Sequence, residues 1–211
     1  MGLAETVGEI IGVLIVILVF VVLVYISFRL FRWSVGKFGR KVIKEEEPKE
    51  KRKLSAIMFT DMKGFSKEVG KNETATLRKL WRYERAIKEI IKEHAGRVVK
   101  TIGDAMMGDF DSAVNAVNCA IAIQKFLKKE DITLRIGIHL GDVVHKGGDI
   151  FGDGVNIASR IESITAPGEI YISEEVYKQV KGKISAEFED LGRKKLKNIE
   201  THVRAYKVFR N

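Results

Sequence analysis

Residues 98–110 read VVKTIGDAMMGDF, two apolar runs, Val98–Ile102 and Ala105–Phe110, on either side of Gly103-Asp104. A two-residue Gly-Asp connection between apolar runs predicts a β-hairpin. Upstream, Leu54–Thr60 (LSAIMFT) is short, apolar and flanked by charge, so it reads as a buried strand. Between them Leu77, Leu80, Trp81, Ile87, Ile90, Ile91 and His94 recur at helical spacing, predicting an amphipathic helix over 73–95. Asn72 is its expected N-cap and Gly96 its stop. Downstream, Asp111 is placed to cap a second helix whose Val114, Val117, Ala120, Ile121 and Phe126 face inward. Ile132–Leu140 reads as a strand, 141–150 as a Gly-rich hairpin and Val155–Ser163 as a helix. A short strand at Ile170–Ile172, a helix capped by Ser173 and two strands near 184–190 and 203–209 complete the pattern. The order βαββαβ, then extra elements, predicts an α+β, ferredoxin-like core.

Working outward to the N-terminus, Ile10–Phe28 (IIGVLIVILVFVVLVYISF) is a run of nineteen residues without a charge. At ~1.5 Å per residue it nearly crosses a ~30 Å hydrocarbon core. A buried core helix of that length would show a polar stripe, and a signal peptide would start with a base. Here Glu5 and Glu9 precede the run, while Arg29, Arg32, Lys37, Arg40, Lys41 and Lys44 follow it. The expectation is a single transmembrane helix over 10–31, with residues 1–9 outside and the rest cytoplasmic. Residues 32–53, containing EEEPKEKRK, read as a charged linker beside anionic lipid headgroups, interrupted by Pro48. Residues 54–211 form the catalytic domain on this reading.

The net charge of +9 is unevenly spread: residues 29–53 carry ten bases and four acids, and 54–211 carry 27 bases and 22 acids. An excess densest beside the apolar run is a juxtamembrane pattern and argues against a nucleic-acid partner. The single cysteine, Cys119, excludes an intrachain disulfide and a cysteine zinc site.

Asp61 follows the first strand in FTDMKGF, and Asp104 sits in the hairpin turn. A ferredoxin-like sheet lays that strand beside that hairpin, so the two carboxylates can converge. Two carboxylates without His or Cys suit hard ions such as Mg²⁺ or Mn²⁺. Each aspartate alone also suits a turn cap. In DIFGDGVNIASR, residues 149–160, Asn156 and Arg160 are four apart and share a helical face. An amide and a guanidinium so placed can hold a ribose and a phosphoryl oxygen; a surface ion pair of Arg160 with Glu162 is the other reading.

Five segments in register, FTDMKGF, VVKTIGDAM, LRIGIHLGDV, DIFGDGVNIASRIE and LKNI, carry a family resemblance. From residue 54 onward the chain resembles the class III nucleotidyl cyclase catalytic domain, and bacterial adenylate cyclases in particular. The resemblance implies two divalent metal ions, Mg²⁺ or Mn²⁺, held by Asp61, Asp104 and the backbone carbonyl of Met62, where the family usually has isoleucine. It implies Lys100 and Asp149 as purine-selecting residues, and Asn156 and Arg160 at the transition state. Arg135 and Lys197 match phosphate-contacting positions. The implied reaction is ATP to 3′,5′-cyclic AMP and pyrophosphate, catalysed by a membrane-anchored homodimer that answers to an unidentified membrane or cytosolic regulator.

The purine choice has its own physical warrant. Adenine presents an acceptor at N1 and an amino donor at N6, which a lysine and an aspartate satisfy. Guanine reverses both, and each mispaired polar group costs on the order of 1–3 kcal/mol. ATP is therefore favoured over GTP. A non-catalytic nucleotide-binding module would be expected to lack a metal aspartate or the Asn/Arg pair, and all four are present. A diguanylate cyclase would carry GGDEF, which is absent.

Overall fold

The computed structural model describes residues 2–43, 51–128, 130 and 132–209. The chain divides into two compact units, Met1–Pro48 and Lys49–Asn211.

The first unit is one helix, α1 (Leu3–Ile43), longer at both ends than the expected span of 10–31. Its segment Leu14–Ser34 is long and apolar enough to cross a membrane, with none of it buried by the rest of the protein. The basic residues after the apolar run continue the helix to Ile43, because Arg and Lys are good helix formers. The middle of the expected linker, including Pro48, lies outside the described residues.

The second unit is built on one sheet. Its strands are β1 (Lys51–Met62), β2 (Gly96–Ile102), β3 (Ala105–Phe110), β4 (Leu134–Lys146), β5 (Asp149–Phe151), β6 (Ile170–Ser173), β7 (Glu187–Lys194) and β8 (Val203–Phe209). The helices are α2 (Phe65–Val69), α3 (Glu73–Glu93), α4 (Ala113–Leu127), α5 (Asp153–Ile164) and α6 (Glu174–Val180). The strand order is β2-β3-β1-β4-β6-β8-β7, with β5 paired to β4. The β2-β3-β1-β4 half is antiparallel throughout and has the expected ferredoxin-like arrangement.

The unbroken apolar run in β1 follows from burial on both faces of the sheet. Ala56 and Met58 join the larger core with Tyr83, Ile87 and Ile91 of α3 and the buried face of α4. Ile57 points the other way, into a second core with Met107, Ile150 and Ala158 of α5. Helices thus cover both faces, and α5 is the one beside the candidate site.

Several local expectations shift. β1 begins at Lys51, because Lys51, Arg52 and Lys53 pair with His145, Val144 and Val143 of the extended β4 while their side chains stay exposed. Asn72 does cap α3, accepting the Ala75 N–H at 3.1 Å. The left-handed residue ending α3 is Ala95, with φ 54°, not Gly96. Gly96 opens β2 under the Phe110 ring, where a Cβ would lie 2.2 Å from a ring carbon. Ser112, not Asp111, caps α4, accepting from Asn115 N–H at 3.4 Å, while Asp111 pairs with Lys53. Trp81 is exposed; Tyr83 takes the buried place in α3. β4 runs on to Lys146, so the hairpin turn is Gly147-Gly148, and the seventh strand starts at Glu187.

Candidate active site

Asp61 and Met62 end β1, and Asp61 is the cross-strand partner of Arg135 on β4. The Arg135 guanidinium makes a hydrogen-bonded ion pair with the Asp61 carboxylate. Asp104 lies in the β2–β3 turn, and its Oδ2 accepts the Met62 N–H at 3.2 Å. The hairpin thus delivers the second carboxylate to the end of β1, as the sequence order predicts. Burial raises the Asp104 pKa first, and the Asp61 charge raises it further. The Arg135 pKa is raised chiefly by its bond to Asp61.

Sequence reading missed a third carboxylate. Glu162 of α5 places Oε1 3.0 Å from Arg135 Nε, with the two groups in ion-pair contact but outside hydrogen-bond geometry. Its side chain is 11% exposed. Burial is the main reason its pKa rises from 4.5 to about 7; Asp61 and Asp104 add to this and Arg135 opposes it. The helix reaches this point because residue 137 is glycine: a Cβ there would lie 2.2 Å from the Glu162 backbone nitrogen. Glu162 therefore pairs with Arg135, not with Arg160. Arg160 and Glu162 are two apart in a helix and face different ways.

The fit to hard cations rests on this donor set. Two carboxylates lie close enough to repel and a fixed guanidinium compensates them, so a divalent ion with oxygen ligands suits Asp61 and Asp104. Among the described residues no group of three or more His, Cys, Asp or Glu side chains converges on one point. Substrate oxygens and water would complete any coordination shell.

A second cluster joins β2 to β5. Lys100 Nζ donates to Asp149 Oδ2 at 2.6 Å, and Asp149 Oδ1 accepts the Ile150 N–H at 2.8 Å. The lysine bond, as the largest cause, lowers the Asp149 pKa. Lys100 also lies 6.0 Å from the Phe151 ring centroid, and Phe151 is exposed. No hydrogen bond or ion pair links this cluster to Asp61 or Asp104 among the described residues.

Asn156 and Arg160 sit on α5, one turn apart. Asn156 is exposed and Arg160 half-buried, and neither makes a side-chain hydrogen bond or ion pair among the described residues. Lys197 is exposed on the β7–β8 connection. Its neighbour Leu196 is buried against Ile161 of α5, which ties that turn to the helix.

The family model for the adenylate and guanylate cyclase catalytic domain matches residues 47–209, and the chain belongs to that family. A putative adenylate cyclase 3 of Rhizobium meliloti is 39% identical over 162 residues, 72% of this chain and 28% of that protein. The chain therefore spans little more than a quarter of that relative. A solved adenylate/guanylate cyclase/hydrolase from Silicibacter pomeroyi is 40% identical, covering 77% of this chain and 100% of that one, with TM-score 0.72. The adenylyl cyclase CyaB of P. aeruginosa is 27% identical, covering 77% and 97%, also with TM-score 0.72.

Proposed function

We propose that this chain is a membrane-anchored adenylate cyclase, converting ATP to 3′,5′-cyclic AMP and pyrophosphate at sites shared by two copies. The observation that carries the choice of ATP is the Lys100–Asp149 pair at 2.6 Å. It sets a donor beside an acceptor, the complement of the adenine N1 and N6 edge.

The ribose 3′-hydroxyl gives up its proton to water, its oxygen attacks the α-phosphorus, the bond to the bridging oxygen of pyrophosphate breaks, and pyrophosphate leaves with the electron pair. Asp61, Asp104 and the Met62 carbonyl would hold two divalent ions, which supply Lewis acidity at the hydroxyl and charge neutralisation at the triphosphate. Asn156 orients the ribose for in-line attack. Arg160, which has no ion-pair partner among the described residues, is available to stabilise charge growing at the α-phosphorus. Arg135 and Lys197 face the departing pyrophosphate on this reading. Lys197 is free to do so; Arg135 must first leave Asp61.

The hairpin supports sharing of the site. Lys100 lies on β2 and holds Asp149 of β5, whereas Asp104 lies beyond the strand end, in the turn, and meets Met62 of β1. Reaching a base from one and the triphosphate ions from the other fits two sites better than one. In a symmetric dimer one copy supplies Asp61, Asp104 and Arg135. The partner supplies Lys100, Asp149, Asn156, Arg160 and Lys197. Helix α1 would place the domain at the cytoplasmic face, against anionic lipid, and raise the local concentration of partner domains.

The test is turnover of ATP and GTP by the detergent-solubilised chain with Mn²⁺ or Mg²⁺. Cyclic AMP formation with kcat/KM at least about tenfold above that for GTP is expected, from one to two mispaired groups. Equal turnover of both nucleotides would contradict the base assignment, and no turnover of either would contradict the enzyme.

A further inference from the structure

Arg135 is committed to carboxylates in a way that conflicts with simple cation binding at Asp61. The two residues are direct partners across the β1–β4 ladder, so the backbone register builds the contact. A guanidinium stays protonated at any working pH and cannot leave by losing its charge. A divalent ion at Asp61 must therefore compete with it for the charge of one carboxylate. A displaced, partly buried guanidinium without a counter-charge would be costly, and the cost would count against the metal.

The neighbourhood supplies that counter-charge. Glu162 Oε1 lies 3.0 Å from Arg135 Nε, yet their contact lacks hydrogen-bond geometry. Both atoms are buried and neither has another partner. The guanidinium thus holds Asp61 through Nη2 while its Nε faces a carboxylate it has not fully engaged. Gly137 fixes the second seat, because any larger residue would push the Glu162 backbone off β4. A small rotation of Arg135 exchanges one carboxylate for the other without carrying the charge into apolar surroundings.

Resting on the reading of Asp61 and Asp104 as metal ligands, we propose that Arg135 is a built-in placeholder for the metal. It neutralises Asp61 in the metal-free chain and passes to Glu162 when Asp61 takes a cation. Glu162 is the positioning residue of the exchange. Anchored there by its Nε edge, Arg135 keeps its remaining N–H groups for the pyrophosphate oxygens.

The experiment is direct Mn²⁺ binding to the full-length chain in detergent, without nucleotide, read from free Mn²⁺ by electron paramagnetic resonance. Asp104→Asn should remove binding. Glu162→Gln should weaken it about five- to tenfold, within the usual range of coupling between sites. Arg135→Gln should tighten it by a similar factor, because the competing charge is gone. Adding Glu162→Gln to Arg135→Gln should then change Kd by less than about twofold, since Glu162 acts through the arginine. Glu162→Asp, which keeps the charge but shortens the reach, should give an intermediate loss and serves if the glutamine variant does not fold. Arg135→Met replaces Arg135→Gln on the same ground. An unchanged Kd in Glu162→Gln, or equal weakening with and without Arg135, overturns the proposal. Weaker binding in Arg135→Gln does so as well. Binding that ignores Asp104 overturns the metal site and this proposal together, whereas binding that needs Asp104 but ignores Glu162 overturns the exchange alone.

Discussion

The two charged clusters of the catalytic unit are balanced in opposite ways. At the ends of β1, β4 and α5, two carboxylates, Asp61 and Glu162, contact one guanidinium, Arg135, and a third, Asp104, lies close enough to feel the Asp61 and Arg135 charges. Between β2 and β5, one ammonium meets one carboxylate, Lys100 with Asp149. The first cluster holds surplus negative charge; burial pushes up the Asp104 and Glu162 pKa values, and the neighbouring carboxylates add to the rise. On the proposed reading this is the cation site. The second is neutral and self-satisfied, and pushes the Asp149 pKa down. A ligand that replaces both halves of its bond needs a donor for the aspartate and an acceptor for the lysine. The contrast teaches that the two clusters are electrostatically distinct and held by separate elements, so that, on the proposed function, ion binding and base selection would be separate tasks.

The sharpest way to break the comparison is to remove surplus charge. Asp61→Asn or Asp104→Asn should lower cyclase turnover at least about a thousandfold, the scale on which metal-centred charge stabilisation operates. Thermal stability of the metal-free protein should hold or rise, because the substitution relieves repulsion between two partly buried carboxylates, and Glu162 still faces Arg135. Turnover within tenfold of the parent would remove the metal role.

The neutral cluster should fail differently. Lys100→Glu with Asp149→Ser should reduce the ATP:GTP ratio of kcat/KM about 10- to 100-fold, from two mispaired groups at the base edge. Reaction with both nucleotides should persist at a reduced rate. An unchanged ratio would show that the base contacts lie elsewhere.

A smaller effect separates the clusters by pH. The Glu162 pKa rises from 4.5 to about 7 on folding, chiefly through burial. Below 4.5 the carboxyl is protonated in both states and costs nothing. Between 4.5 and 7 only the unfolded chain releases the proton, so stability falls as pH rises through that window. The loss is on the order of 1–3 kcal/mol and complete above about pH 7. Glu162→Gln should abolish this component. The measurement is the melting temperature of parent and variant in chelator across pH 5 to 7.5, and parallel curves would refute it. Asp149 has the opposite sign: its lowered pKa stabilises the fold fully above its ordinary 3.8, and that stabilisation is lost as pH falls below it.

Much of this architecture was legible in the sequence. The Gly103-Asp104 turn between apolar runs gave the hairpin, and the run from Leu54 gave a buried strand, which the structure places inside the sheet with both faces covered. Those two features alone bring Asp61 near Asp104. Local capping was less legible, because Asp111 and Ser112 are both good caps and a tertiary partner, Lys53, decided between them. Gly141 reads as a turn residue, yet it sits inside β4 and leaves room for Gly154 of α5. Glu162 was invisible as a site residue. Its partner is 27 positions upstream, and the meeting depends on a helix seated on Gly137. Such a contact has no local pattern; only the packed fold reveals it.

The central claim is that one chain's acid cluster works with another chain's Lys100–Asp149 pair and α5 residues. Its most direct test is co-expression of Asp61→Ala and Arg160→Ala chains with different tags, followed by tandem purification of the heterodimer. Each variant alone should be inactive. In the heterodimer one site carries both lesions and the other carries none, so about half of the wild-type rate per dimer is expected. A pure heterodimer as inactive as its parents would contradict the shared site, as would full activity in a verified monomer of the unsubstituted chain.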